Sequence, residues 1–144
     1  MEKTAASVMI DRPAEEVWRF VTDVENMKKY EPGILEAKVT STGPVGVGST
    51  AMSRRSDGTY TFRVVEYEPN QRFFLEITSE KGKGSKEGLV LEPVGGKTKL
   101  GLVWDLKLGG FYSLMRPIVS RSLKKNSETL VSNIKRMMES EAKP

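Results

Sequence analysis

Between residues 34 and 108 the hydrophobic pattern repeats every second residue, and no helical stretch interrupts it. The candidate strands are 34–42, 49–55, 59–68, 72–80, 86–93 and 98–108. They are separated by Gly43-Pro44, Asp57-Gly58, Pro69-Asn70, Gly82-Lys83-Gly84 and Gly95-Gly96, all short connections rich in turn residues, with Asp57-Gly58 the strongest hairpin signal. Strands joined this closely run antiparallel, because a parallel pair needs a crossover of roughly a dozen residues or more. The span therefore predicts an antiparallel meander and excludes a βαβ unit. In its last strand Leu100, Leu102, Trp104, Leu106 and Leu108 share one face, with Lys99, Val103, Asp105 and Lys107 on the other.

The flanks read differently. Residues 4–11 alternate, with Ala6, Val8 and Ile10 on one side, and predict a strand. Asp11-Arg12-Pro13 then starts a helix, with Glu15 and Glu16 placed to complement its positive end. Val17, Phe20, Val21, Val24 and Met27 keep helical spacing and Trp18 widens the apolar face. Asp23 is a good N-cap, which splits the segment into two short helices meeting near Thr22. Tyr30-Glu31-Pro32-Gly33 ends it in a turn.

After Gly109-Gly110 the period returns to helical up to Glu139. Val119, Leu123, Leu130, Ile134 and Met137 form an apolar arc edged by Val131 and Met138. Arg121, Lys124, Lys125, Glu128, Lys135, Arg136 and Glu139 lie opposite. Pro117 kinks this helix or restarts it. Where the arc calls for a large residue, the chain offers Asn126 and Ser127. A helix apolar at both ends and small at its centre grips a sheet at two points and leaves a space between, where function is expected.

The chain of 144 residues is read as one domain, 1–144, with hydrophobic content of 38% and charged content of 29%. It has no cysteine and no histidine. That excludes disulfides, thiolate chemistry, Ser–His triads and histidine-ligated metals, and no metal site or cofactor is expected. No signal peptide or transmembrane run is read, so a cytoplasmic protein is the expectation. Net charge is +4. Arg116, Arg121, Lys124, Lys125, Lys135 and Arg136 are interrupted by Glu128, Glu139 and Glu141, which reads as a solvated face. No nucleic-acid partner and no stable membrane insertion are expected, with transient membrane contact left open.

The segment VMIDRPAEEVWRFVTDVENMKKYEPGI resembles the opening of the polyketide cyclase/dehydrase group within the START-like (SRPBCC) helix-grip superfamily, through Ile10, Pro13, Val17-Trp18, Asp23 and Tyr30. RVVEYEPNQRFFLEI and GGKTKLGLVWDLKL resemble its mid-sheet and last strand. The resemblance implies an α+β helix-grip fold of order β-α-α-β6-α: a curved antiparallel sheet wrapped around the long C-terminal helix over an apolar cavity. It is specific for fold and general for function.

Two motifs read as turns. Gly46-Val47-Gly48-Ser49-Thr50-Ala51 fits a dinucleotide fingerprint but leads into a strand rather than a helix. Gly96-Lys97-Thr98 ends like a phosphate loop, but Leu91 stands where its first glycine belongs. The cavity wall is expected from Phe62, Phe73, Leu75, Leu102, Trp104, Leu123, Ser127 and Leu130. The entrance is expected at Phe111, Tyr112 and Met115 within 109–118, opposite the Asp57-Gly58 hairpin. Arg54, Tyr60, Glu66, Tyr67, Glu76 and Asp105 are candidates for catalysis by residue type alone, and alternation does not say which point inward. The leading functional expectation is a module that holds a hydrophobic or aromatic small molecule such as a lipid, polyketide, quinone or isoprenoid. A polyketide cyclase or dehydratase, and an interaction module with a vestigial cavity, are the alternatives.

Overall fold

The computed structural model describes residues 2–107, 109 and 111–140. In order they form β1 (Lys3–Ile10), α1 (Ala14–Val21), a 3-10 turn (Val24–Asn26), α2 (Met27–Tyr30), β2 (Ile34–Val39), β3 (Thr50–Arg55), β4 (Gly58–Glu68), β5 (Arg72–Ile77), β6 (Lys86–Val94), β7 (Lys97–Asp105), α3 (Phe111–Leu114) and α4 (Arg116–Ser140). The seven strands make one curved antiparallel sheet in the order β1-β7-β6-β5-β4-β3-β2. The N-terminal strand thus lies beside the last one, and the rest is a meander.

Several strands end earlier than their hydrophobic pattern. β2 stops at Val39, because the Thr40 and Ser41 amides both turn to the Thr50 carbonyl, at 2.8 and 3.4 Å. β5 stops at Ile77, where Gly84 N–H closes a turn onto the Ile77 carbonyl at 2.9 Å. β7 stops at Asp105, leaving Leu106 outside it; Leu108 lies outside the described residues. The Gly46–Ala51 motif is a turn: Ser49 N–H donates to the Gly46 carbonyl at 3.0 Å, and Thr50 enters β3. Thr98 of the second motif is fully buried in β7 and its hydroxyl donates to the Arg12 carbonyl at 2.8 Å.

The first helices break at Asp23, whose Oδ1 accepts from Glu25 N–H at 3.2 Å. They cover one end of the concave sheet face with Val17, Trp18, Val21, Val24 and Met27. Trp18 meets Tyr67 and Phe73 edge to face, with centroids 5.3 and 6.1 Å away. On the convex face Phe74 is fully buried beneath Arg72, whose guanidinium carbon lies 4.4 Å from the ring centre. Gly88 makes room for that ring: a Cβ there would stand 2.3 Å from Phe74 Cγ.

α4 begins afresh at Arg116, so Pro117 sits in its first turn, where a missing N–H costs nothing. The helix docks through Ser127, Leu130, Val131, Ile134 and Met138, which are buried. A buried aliphatic side chain of this size stabilises by ~1.5–3 kcal/mol. Asn133 Nδ2 donates to the Tyr30 carbonyl at 3.0 Å and Lys135 Nζ to the Met9 carbonyl at 2.6 Å. The grip is therefore one-sided rather than two-ended. Val119 and Leu123 are only half-buried and Ile118 is 60% exposed. The first half of α4 stands off the sheet because Asn126 and Ser127 supply no bulk to close the gap.

Candidate functional site

That gap is a chamber of about 480 Å³ between α4 and the concave face of β4, β6 and β7. Its wall includes Phe62, Ile77, Leu102, Trp104, Leu123 and Leu130, with Asn126 and Ser127 along α4. A recess of about 30 Å³ runs deeper, under α1 and α2, between Val21, Val24, Met27, Phe73, Leu75 and Leu89. Glu31, Glu87, Leu102 and Leu130 line both spaces and so mark their junction.

The eight residues expected on the cavity wall are brought together here. Phe62, Trp104, Leu123 and Ser127 line the chamber, Phe73 and Leu75 the recess, and Leu102 and Leu130 both. Met115 is half-buried and lines neither space, while the side chains of Phe111 and Tyr112 lie outside the described residues. From the opposite hairpin, Ser56 and Asp57 do line the chamber.

The candidates for catalysis separate by strand parity. Arg54 points away from the cavity and lies 3.6 Å from Glu36 in an exposed ion pair. Glu76 pairs with Arg63 at 2.8 Å and Glu66 with Arg72 at 3.0 Å. Glu66 reaches the convex face because a bulge between Val64 and Glu66 reverses the parity of β4. The same bulge sends Tyr67 inward, into the ring cluster with Trp18 and Phe73. Asp105 lines neither space among the described residues. Only Tyr60 is a chamber residue; its hydroxyl donates to Asp57 Oδ2 at 3.1 Å. Lys81 Nζ also donates to that oxygen, at 2.6 Å, and these two bonds, Lys81 first, hold the Asp57 carboxyl below its usual range.

The polar groups of the cavity are ones that residue type did not single out. Arg55, next to Arg54, is on the inward parity of β3 with Ala51 and Ser53. Its guanidinium pairs with the buried carboxylate of Glu31, and its Cζ lies 5.8 Å from the Tyr60 ring centre. Burial holds the Glu31 carboxyl above its usual range, opposed in part by the charge and hydrogen bond of Arg55. Glu87 has no hydrogen-bond or ion-pair partner among the described residues. Protein surrounds it, yet it keeps some accessible surface, and that surface borders the cavity. Burial, reinforced by the nearby Glu31 charge and opposed by Arg55, pushes its carboxyl up to about 8. At neutral pH Glu87 thus stands largely protonated, a hydrogen-bond donor inside an apolar space. Burial also raises the Tyr30 phenol well above 10.0; its hydroxyl donates to the Val21 carbonyl at 3.3 Å. Alternation with Leu89 and Leu91 was the one sequence signal that could have placed Glu87 inward. No comparable signal marks Glu31, which sits in a turn.

Among the described residues, no group of acidic side chains could hold a metal ion, and no helix is long and apolar enough to cross a membrane. The family model described as polyketide cyclase / dehydrase and lipid transport matches residues 1–139. Comparison with curated proteins finds no match. Among solved structures the chain is similar to the di-domain ARO/CYC BexL of the BE-7585A biosynthetic pathway, with a TM-score of 0.78 and 19% identity over 96% of this chain. It spans only 46% of that chain. TTHA0849 from Thermus thermophilus matches with a TM-score of 0.76 and 19% identity over 99% of this chain and 100% of its own. The Aha1 dimer from Colwellia psychrerythraea matches at 0.58 and 19% identity, over 89% of this chain and 96% of its own. Likeness at this identity establishes the fold alone.

Proposed function

The chain belongs to the polyketide cyclase / dehydrase and lipid transport family, and on that premise we propose that its cavity binds a small, largely apolar molecule of the lipid, polyketide, quinone or isoprenoid kind. The observation that carries this reading is the chamber of about 480 Å³ kept open by Asn126 and Ser127 against an apolar wall. Ligand sites typically enclose ~300–1,000 Å³ and combine such walls with a few placed polar groups. Arg55, Tyr60 and Glu87 are those groups here.

Organic extraction and mass spectrometry of the purified protein should recover an apolar compound. The protein should also take up the neutral dye N-phenylnaphthylamine, and Ser127→Leu, which places a branched side chain in the chamber, should abolish uptake with unchanged circular dichroism. A dye bound equally by both proteins overturns the reading.

A second reading, acid-assisted cyclisation or dehydration of a polyketide-like substrate, is favoured by the place of Glu87 on the wall of both spaces, where burial pushes its carboxyl up to about 8 and so suits it to a general acid. Under that reading Glu87→Gln abolishes turnover of such a substrate while leaving its binding intact.

A further inference from the structure

The chamber wall explains retention of an apolar body but not its orientation. Orientation needs a polar group at a fixed place, and Glu87 occupies that place. It projects from the concave face of β6 directly between Leu75 of β5 and Trp104 of β7. It also stands at the junction of chamber and recess, so a ligand that fills the chamber to its inner end lies beside it.

The charged and titratable groups around it are few. From the end of α2 come Tyr30, whose hydroxyl is turned to Val21, and Glu31, whose carboxylate is held by Arg55 of β3. β4 offers Tyr60, bonded to Asp57, while α4 offers only Asn126 and Ser127. β5 and β7 present apolar or aromatic side chains at the same level. Arg55 is thus committed elsewhere, and Glu87 has no counter-ion of its own.

We propose that Glu87 is the polar anchor of the cavity: as a neutral carboxylic acid it donates a hydrogen bond to an acceptor, such as a carbonyl oxygen, on an otherwise apolar ligand. The inference rests on the cavity-binding reading above and adds the ligand's polar group to it. A neutral acid suits a neutral acceptor, because the pair enters the cavity without leaving a charge unpaired. A ligand with a basic, protonated amine would instead require Glu87 to ionise, and the two chemistries respond to pH in opposite senses. Since the carboxyl is pushed up to about 8, a donor anchor works below that pH and fails above it.

The test compares two dyes of similar naphthalene body: prodan, which carries a carbonyl, and N-phenylnaphthylamine, which does not. Fluorescence titrations of both are run on the unmodified protein, Glu87→Gln and Glu87→Leu from roughly pH 6 to 9. The anchor predicts that Glu87→Leu weakens prodan about tenfold, the worth of one lost buried hydrogen bond. Glu87→Gln, which keeps a neutral donor, should hold prodan within about threefold of the original affinity, a difference below the worth of one such bond. N-phenylnaphthylamine should bind all three proteins alike. Prodan affinity should fall above about pH 8 in the unmodified protein and stay flat in Glu87→Gln. Equal prodan binding by all three, or the same pH dependence in Glu87→Gln, overturns the anchor while dye uptake still supports the cavity. Tighter prodan binding at high pH also overturns it, in favour of an ionised Glu87. If neither dye binds the unmodified protein, the cavity reading falls and the anchor falls with it.

Discussion

Glu87 and Trp104 stand directly opposite each other on the β6–β7 ladder, an unpaired acid beside an indole, both on the wall of the same chamber. Trp104 Nε1 is buried with no hydrogen-bond partner among the described residues. The neutral form of the acid is favoured by its burial in this apolar setting and by the nearby charge of Glu31, not by the indole.

This places a proton-linked term in folding. The Glu87 carboxyl rises from 4.5 to about 8, so in that window the folded chain binds more protons than the unfolded one. The stability tied to this group is fully present below 4.5, falls as pH rises and levels off above about 8. One fully linked proton gives a slope of at most ~1.4 kcal/mol per pH unit. Urea denaturation should show stability declining across the window, and Glu87→Gln, neutral throughout, should flatten the decline and be the more stable protein above it. An unchanged slope in Glu87→Gln would assign the linkage to another group.

Arg55→Met should destabilise the fold by leaving the Glu31 carboxylate buried alone. The cost should stay below the ~3–5 kcal/mol of a fully buried pair, because the Arg55 side chain is 33% exposed. Adding Glu31→Gln should restore most of the loss, since a neutral amide needs no counter-ion. Denaturation midpoints of the single and double variants decide it; no recovery in the double variant would make Arg55 a packing residue, its stem rather than its charge holding β3.

The contrast between these groups and the wall shows what period-2 reasoning reads and what it does not. Phe62, Leu102 and Trp104 are legible because strand parity and hydrophobicity agree at each. Arg54 and Arg55 are adjacent and of one type, so composition cannot separate them; the inward one is fixed by sharing parity with Ala51 and Ser53. Glu66 and Tyr67 exchange faces because of a bulge that no turn residue announces. The burial of Glu31 depends on Arg55, 24 residues later, and is invisible to any local pattern. The helix order, the break at Asp23 and the restart at Pro117 were legible from caps and prolines, which act locally.

Trp104 should report on occupancy. With Trp18→Phe removing the other indole, emission from Trp104 should shift when N-phenylnaphthylamine fills the chamber. Trp104→Ala should cost less than the ~3–5 kcal/mol typical of a fully packed tryptophan, because one side of the ring already faces open space. A silent emission together with a cost at the top of that range would make Trp104 core alone.

The way into the chamber is expected between the β3–β4 hairpin and the segment 109–118. Asp57 at the hairpin lines the chamber and is tied back by Lys81 and Tyr60 through bonds of 2.6 and 3.1 Å, both on the surface. Leu114 is 79% and Ile118 60% exposed, so little apolar contact secures that part of the chain. Hydrogen exchange should therefore be fast over 113–118 and near Asp57 in the free protein, and should slow at both when the dye is bound. Lys81→Ala, which frees the hairpin on one side, should speed dye entry without changing its equilibrium affinity. Protection over 113–118 equal to that of 128–138 in the free protein would remove this segment from the entrance and leave the hairpin as the moving part.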